Sequence, residues 1–342
     1  MLAIGIDTHK ATLAACALDE LGQPLAERTF SNEAAGHRAL LDWADEVLPA
    51  ARIGLEGSAG FGAAAARLLV AAGREVREVP PQLSHRERQR TRRAGKSDPG
   101  DALAIARVTA RETDLPPVRL ADTTRDIGLL VEAREDLVAE ATRIRNRLHA
   151  DLVVLVPGYG ATAANLVAER NRLAAGRLLR SLPGVQAELA RARLSRLGHL
   201  VAEAKALENR LAGAVGDHPL RGLPGAGILV TAKLIGEAGD LRRFRSADAF
   251  AMLAGVAPIP ASSGQTHRMR LNRGGNRQLN RALHTIALAQ AWHHDPAKVF
   301  IARKRAEGKT WREALRALKR HLARVVFKLL LIGPTEVAQQ TA

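Results

Sequence analysis

The feature that most constrains the fold is a change of hydrophobic period near residue 115. Before it, short apolar runs alternate with helical patterns; after it, the chain reads as helix almost throughout. "LAIGID" is a short apolar run, "TLAACALD" suits its hairpin partner, and the turn signal "LGQP" leads into "LAERTFS", giving a three-stranded meander. "EAAGHRALLDWADEV" then has helical spacing and "RIGLEG" is a compact strand. "GFGAAAARLLVAAG" is a helix ending at Gly73, and "REVREVPP" is a strand stopped by prolines. Strands first and then β-α-β predict an α/β domain over residues 1–115, a mixed sheet with helices packed against it.

Residues 116–218 predict a helical middle. Ile127, Leu130, Leu137, Ala141, Ile144, Leu148 and Leu155 fall on alternating three- and four-residue steps, a coiled-coil seam interrupted by Arg134 and Asp151. "VPGYG" turns the chain back. Leu194, Leu197, Val201, Ala204 and Leu211 repeat the steps, which predicts an antiparallel partner helix or an oligomer seam, with a solvated helical linker as the alternative. Residues 219–342 form a third, mostly α region. It opens with "PLRGLPGAGILVTAKLIGEAGDLRRF", a helix-hairpin-helix-like element whose turn amides could hold a phosphate.

Charge limits the function. The 342 residues carry a net charge of +16, which points to a polyanion, nucleic acid before membrane. No apolar stretch reaches the ~18 residues of a spanning helix, and "MLAIGID" has no signal-peptide pattern, so a cytosolic protein is expected. Cys16 is the single cysteine, which excludes an internal disulfide or a cysteine-rich zinc site and fits a small buried residue. From Ala249 to His294 there is no Asp or Glu, yet Arg268, Arg270, Arg273, Arg277 and Arg281 lie there, behind the turn Ser262-Ser263-Gly264. Anything bound along that run is anionic, and His267 could assist a proton transfer or contact phosphate. Asn276 and Asn280 could join the nucleic-acid contacts or be plain surface helix residues.

The acids have a pattern of their own. Asp7 closes "LAIGID" and Glu56 closes "RIGLEG"; a carboxylate at the end of a buried strand is costly unless exposed, hydrogen-bonded or bound to a cation. In "AGKSDPGDALAIARV", Asp98 suits a helix N-cap before Pro99, and Asp101 lies about one turn on. A plain acidic helix start explains that pair taken alone. With the two strand-end carboxylates it also suits a cage of hard oxygens for two Mg²⁺ ions roughly 4 Å apart, acting on a phosphodiester. Arg86, Arg88, Arg90, Arg92, Arg93 and Lys96 precede the pair and could hold a nucleic-acid backbone there, a solvated loop being the alternative. The order of meander with Asp, strand with Glu and helix with an acidic pair is that of ribonuclease-H-like nucleases.

"GIDTHK", "LEGSAGFG" and "KSDPGDALAIARV", together with "LPGAGILVTAKLIGEAGDLRRFRSADAFAMLAGVAPIPASSGQTHRMRLNRGGNRQLNRALH", resemble the DEDD transposases of the bacterial insertion-sequence family one hundred and ten, which includes the Piv-type DNA invertases. The resemblance covers nearly the whole chain. It implies a RuvC-like domain with the acidic tetrad Asp7, Glu56, Asp98 and Asp101, and a C-terminal transposase domain whose nucleophile is Ser263, with Ser262 as the alternative. It further implies Mg²⁺, donor and target DNA, a guiding RNA from the element itself, a homo-oligomer with a composite active site, and a prokaryotic, nucleoid-associated setting. A structure-selective nuclease of the same fold would need the tetrad and no serine. A sugar-kinase or actin-like ATPase would repeat the strand meander with a second nucleotide loop, and the helical, basic second half has none.

Overall fold

The structure, a computed structural model, describes residues 2–90, 98–118, 123–261 and 269–333, with backbone alone at Asp98, Pro99 and Arg242. It divides into two compact units, Met1–Asp122 and Thr123–Ala342.

The first unit is built on β1 (Ala3–Thr8), β2 (Thr12–Leu18), β3 (Pro24–Ser31), β4 (Arg52–Leu55) and β5 (Val76–Glu78). Between and after them come helices α1 (Ala34–Val47), α2 (Ala63–Ala71), α3 (Pro81–Arg90) and α4 (Asp98–Arg111). The sheet order is β3-β2-β1-β4-β5. β1, β2 and β3 pair antiparallel, whereas β4 runs parallel to both β1 and β5. The mixed sheet expected from the sequence is therefore present.

Strand alternation sorts its side chains onto two faces. Ile4, Ile6, Leu13, Ile53 and Leu55 pack with Leu40 and Trp43 of α1 and Leu69 of α2. On the opposite face Ala14, Cys16 and Leu18 meet Ala102, Leu103 and Ala106 of α4. Two glycines let α4 come down onto the strands. A Cβ on Gly5 would lie 2.2 Å from the Ala106 nitrogen and 2.3 Å from the Ala102 carbonyl oxygen, and one on Gly54 would lie 1.7 Å from Thr109 Oγ1. Glycine is thus required in β1 for close approach of helix backbone and in β4 to leave room for the Thr109 side chain, and in neither for an unusual φ.

In the second unit the long helices α5 (Thr123–Leu155) and α8 (Val185–Val215) enclose the short α6 (Gly160–Ala163) and α7 (Glu169–Leu179). Arg134 pairs with Glu208, Arg196 with Glu140 and Arg193 with Asp151, so α5 and α8 run antiparallel. The two residues that interrupt the apolar seam, Arg134 and Asp151, thus each pair with an opposite charge on α8. A 3₁₀ turn (Pro219–Gly222), α9 (Ile228–Ala238), a second 3₁₀ turn (Leu241–Arg243) and α10 (Ala247–Leu253) follow. The two-residue strands β6 (Ile259–Pro260) and β7 (Met269–Arg270) lead to α11 (Arg277–His293), α12 (Asp295–Ala306) and α13 (Trp311–Ile332). Phe250, Leu283, Ile286, Leu318, Val326 and Phe327 lie in one core together with Ile127 and Leu211 of the long helices. Among the described residues no helix is long and apolar enough to cross a membrane.

Two outcomes follow from the packing of α4. Gly5→Ala should cost about 3 kcal/mol in urea unfolding because helix backbone cannot move aside. Gly22→Ala, at a turn with φ +76° and open space around it, should cost only about 1 kcal/mol. Burial, with Glu27 nearby, pushes the Cys16 thiol up to about 12. The native protein should therefore resist a thiol reagent at pH 8 and react after denaturation.

Candidate active site

In the first unit, side chains two residues apart on a strand share a face. Asp7 follows Gly5 by two and Glu56 follows Gly54 by two, so both carboxylates project toward the side that α4 covers. Glu56 stands just past β4 and its N–H continues the ladder to the Ile6 carbonyl at 3.2 Å. Thr8 Oγ1 donates to the Glu56 carbonyl at 2.8 Å, tying the ends of the two parallel strands together. Asp98 opens α4 and Asp101 lies in its first turn; the Asp98 side chain is outside the described residues.

Each described acid has a neighbour. His9 Nε2 lies 3.1 Å from Asp7 Oδ2. Ser84 Oγ donates to Glu56 Oε2 at 2.5 Å, and Arg88 Nη1 lies 2.9 Å from Asp101 Oδ1. Ser84 and Arg88 are four apart on α3, so one helix face reaches both Glu56 and Asp101. Asp7 and Asp101 are only 8% and 3% exposed. Two buried carboxylates and a half-buried third thus lie on one side of the sheet, all of them hard oxygen donors. Among the described residues no three His, Cys, Asp or Glu side chains are grouped closely enough to hold one ion as they stand.

A further carboxylate takes part. Glu78 ends β5 and accepts the backbone N–H groups of Gly57 and Ser58, each at 3.1 Å. Burial pushes its carboxyl above the ordinary glutamate range, and the Glu56 charge adds to this against those hydrogen bonds. Standing in the charged run "REVREV", it lacks the mark of Asp7 and Glu56, a carboxylate closing an apolar strand, and Ser84 has no comparable signal either.

Of the basic residues expected before the acidic pair, Arg86 and Arg90 are exposed on α3 and Arg90 lies 3.8 Å from Glu87. Arg88 faces Asp101 instead. Arg92, Arg93 and Lys96 lie outside the described residues, as do Ser262, Ser263, His267 and Arg268.

In the second unit, Arg270, Arg273 and Arg277 are exposed and, among the described residues, face no acidic side chain. They are carried by a pinned frame. A Cβ on Gly275 would lie 2.3 Å from Gly255 Cα, so the two ends of the segment between them meet backbone to backbone. Asn280 donates to the carbonyls of Ala254 at 2.9 Å and Gly255 at 3.1 Å. Its Oδ1 accepts from Lys319 Nζ at 2.5 Å. Lys319 is 9% exposed, and burial, with the Arg316 charge, pulls it below the ordinary lysine range. Asn276 caps α11 through Gln278 and Leu279 and donates to Glu237 Oε2 at 2.7 Å. Asn276 and Asn280, which the sequence allowed as nucleic-acid contacts or surface residues, thus bond to the protein's own frame.

Both units match described transposase families. Residues 4–157 match the DEDD transposase profile of IS110, and residues 217–302 match the profile described as "Transposase IS116/IS110/IS902 family". A 43.6 kDa protein of insertion element IS110 from Streptomyces coelicolor, described as uncharacterized, is 29% identical over 96% of this chain and 94% of its own. A 42 kDa protein of IS900 from Mycobacterium paratuberculosis, also described as uncharacterized, is 28% identical over 95% and 94%. The transposase for insertion sequence element IS1328 of Yersinia enterocolitica is 24% identical over 82% and 81%. The chain belongs to the IS110 family of DEDD transposases.

Asn280→Ala would remove a partner from two carbonyls and from a buried ammonium. It should cost about 2–3 kcal/mol in chemical denaturation, and adding Lys319→Met should recover part of that loss.

Proposed function

We propose that the protein is the transposase of a bacterial insertion sequence, cutting and rejoining DNA strands through a ribonuclease-H-like, RuvC-like acidic site and a serine. The observation that carries this reading is the gathering of Asp7, Glu56 and Asp101 on the α4 side of the sheet, in a chain of this transposase family. Asp98, at the start of α4, completes the tetrad. Bound to these carboxylates, Mg²⁺ would neutralise phosphate charge and steady the attacking and departing oxygens.

The second unit contributes the nucleophile. Ser263, or Ser262 beside it, attacks phosphorus through Oγ. A Ser–O–P bond forms, the bond from phosphorus to one sugar oxygen breaks, and that oxygen departs as a hydroxyl carrying a proton. A hydroxyl of the joining strand then attacks the phosphoserine, reforming a phosphodiester and returning the proton to serine. No external energy source is needed, since the number of phosphoester bonds is conserved. Arg270, Arg273 and Arg277 supply exposed positive charge for the phosphates, and Arg86, Arg90, Arg92, Arg93 and Lys96 supply it in the stretch before the acidic pair; His267 and Arg268 extend the first group.

In this reading residues 1–115 are the metal-dependent domain, 116–218 a helical coiled-coil and oligomerisation region, and 219–342 the serine domain. Donor and target DNA are chosen by pairing with a structured RNA from the element, and the acidic and serine parts meet in a homo-oligomer, each serine served by acids of another copy. A metal-only nuclease is the second reading, favoured by one observation: the described acids lie wholly in the first unit.

One experiment separates the two. With RNA that copurifies with the protein and DNA matching it, Asp7→Asn and Asp101→Asn should lower strand breakage on the order of a hundredfold or more while nucleic-acid binding persists. Ser262→Ala with Ser263→Ala should abolish the detergent-stable protein–DNA adduct. Unchanged cleavage by the double serine variant would establish the metal-only nuclease, and the absence of any discrete copurifying RNA would remove the guided part of the proposal.

A further inference from the structure

The ion pair between Arg88 and Asp101 lies where the proposed metal site requires a free carboxylate. The Asp101 side chain is 5% exposed, whereas that of Arg88 is 31% exposed, so the guanidinium reaches inward from the rim. An arginine cannot neutralise itself by losing a proton. A guanidinium 2.9 Å from Asp101 Oδ1 and a dication on the same oxygen therefore repel each other and compete for it.

The same helix supplies what lets Arg88 leave without undocking. Glu87, beside it on α3 and 8% exposed, pairs with Arg111 at the far end of α4 at 2.6 Å. Ser84, one turn earlier, is fully buried and holds Glu56. Two anchors on α3 thus persist when the third contact breaks. The side chain of Arg88 has the length and the partial exposure to turn outward while the backbone stays in place.

We propose that Arg88 is an exchangeable counterion of the acidic site: it neutralises Asp101 while no divalent ion is bound and is displaced when one binds. Ser84 stays on Glu56 in both states as a positioning residue. This rests on the metal-site reading above, and it separates two roles that one helix face would otherwise blur. It also accounts for a basic side chain in the basic stretch before the acidic pair that turns toward an acid of its own chain.

The test is Mn²⁺ or Mg²⁺ titration of the full-length protein without nucleic acid, read as thermal stabilisation and checked by calorimetry. Arg88→Ala should lower the half-saturating Mn²⁺ concentration about three- to tenfold, in line with loss of one partly exposed competing charge. Arg88→Lys, which keeps the charge, should stay near wild type, and Arg88→Gln should follow Arg88→Ala if the alanine variant folds poorly. Asp101→Asn should abolish the Mn²⁺ response. If wild type responds to Mn²⁺ and Arg88→Ala saturates at the same or a higher concentration, the counterion role is overturned while the metal site stands. If neither responds, the metal-site reading falls and takes this proposal with it.

Discussion

The seating of α4 on the sheet is the contact on which the acidic site depends. Helix backbone lies directly over Gly5, and the Thr109 side chain of the same helix fills the space over Gly54. At that separation a residue in the first turn of α4 is level with the ends of two parallel strands, and Asp101 is such a residue. With larger residues in the strands, α4 would be lifted by the thickness of a side chain, and the carboxylates on strand and helix would no longer share a set of neighbours. The α3 helix depends on the same seating, because its Ser84 and Arg88 can reach Glu56 and Asp101 together only while α4 is down.

Much of the first unit was legible from period alone. The meander, the two later strands and the two helices between them each carry an unbroken pattern with turn residues at the joints. The two strand-end carboxylates were visible because a charge closing an apolar run is expensive without a partner. α3 was not: "PQLSHRERQR" is polar nearly all round, so no apolar stripe announces a helix. Glu78 lacked the mark of Asp7 and Glu56, because Arg77 stands beside it in β5 and Val79 follows it before the two prolines. Arg88 shows a limit of reading charge in one dimension. A run of arginines reads as an exposed face, and only the fold shows that one of them turns inward to a carboxylate thirteen positions further on.

In the helical half, the interruptions of the α5 seam were the more informative positions. Arg134 and Asp151 break an apolar pattern and then pair with Glu208 and Arg193 of the antiparallel helix. Apolar seams of leucine and alanine can slide by a turn at modest cost, whereas a displaced charge is left facing hydrocarbon or a like charge. These pairs set the register that the seam alone would leave loose. The same logic holds inside the C-terminal core, where Lys233 and Lys319 each sit buried on side-chain oxygens, Gln278 for one and Asn280 for the other.

The meeting of Gly255 and Gly275 has a consequence for how this chain can change over time. The two ends of the segment between them touch, and Asn280, itself held by Lys319, fastens the Gly255 end, so the closure is made by the frame. Lengthening such a loop costs little, since closure entropy grows only with the logarithm of its length. A change of length between β6 and β7 therefore leaves the fastening of the frame in place. Selection acting on the sequence between β6 and β7 and selection acting on the stability of the core would then proceed almost independently.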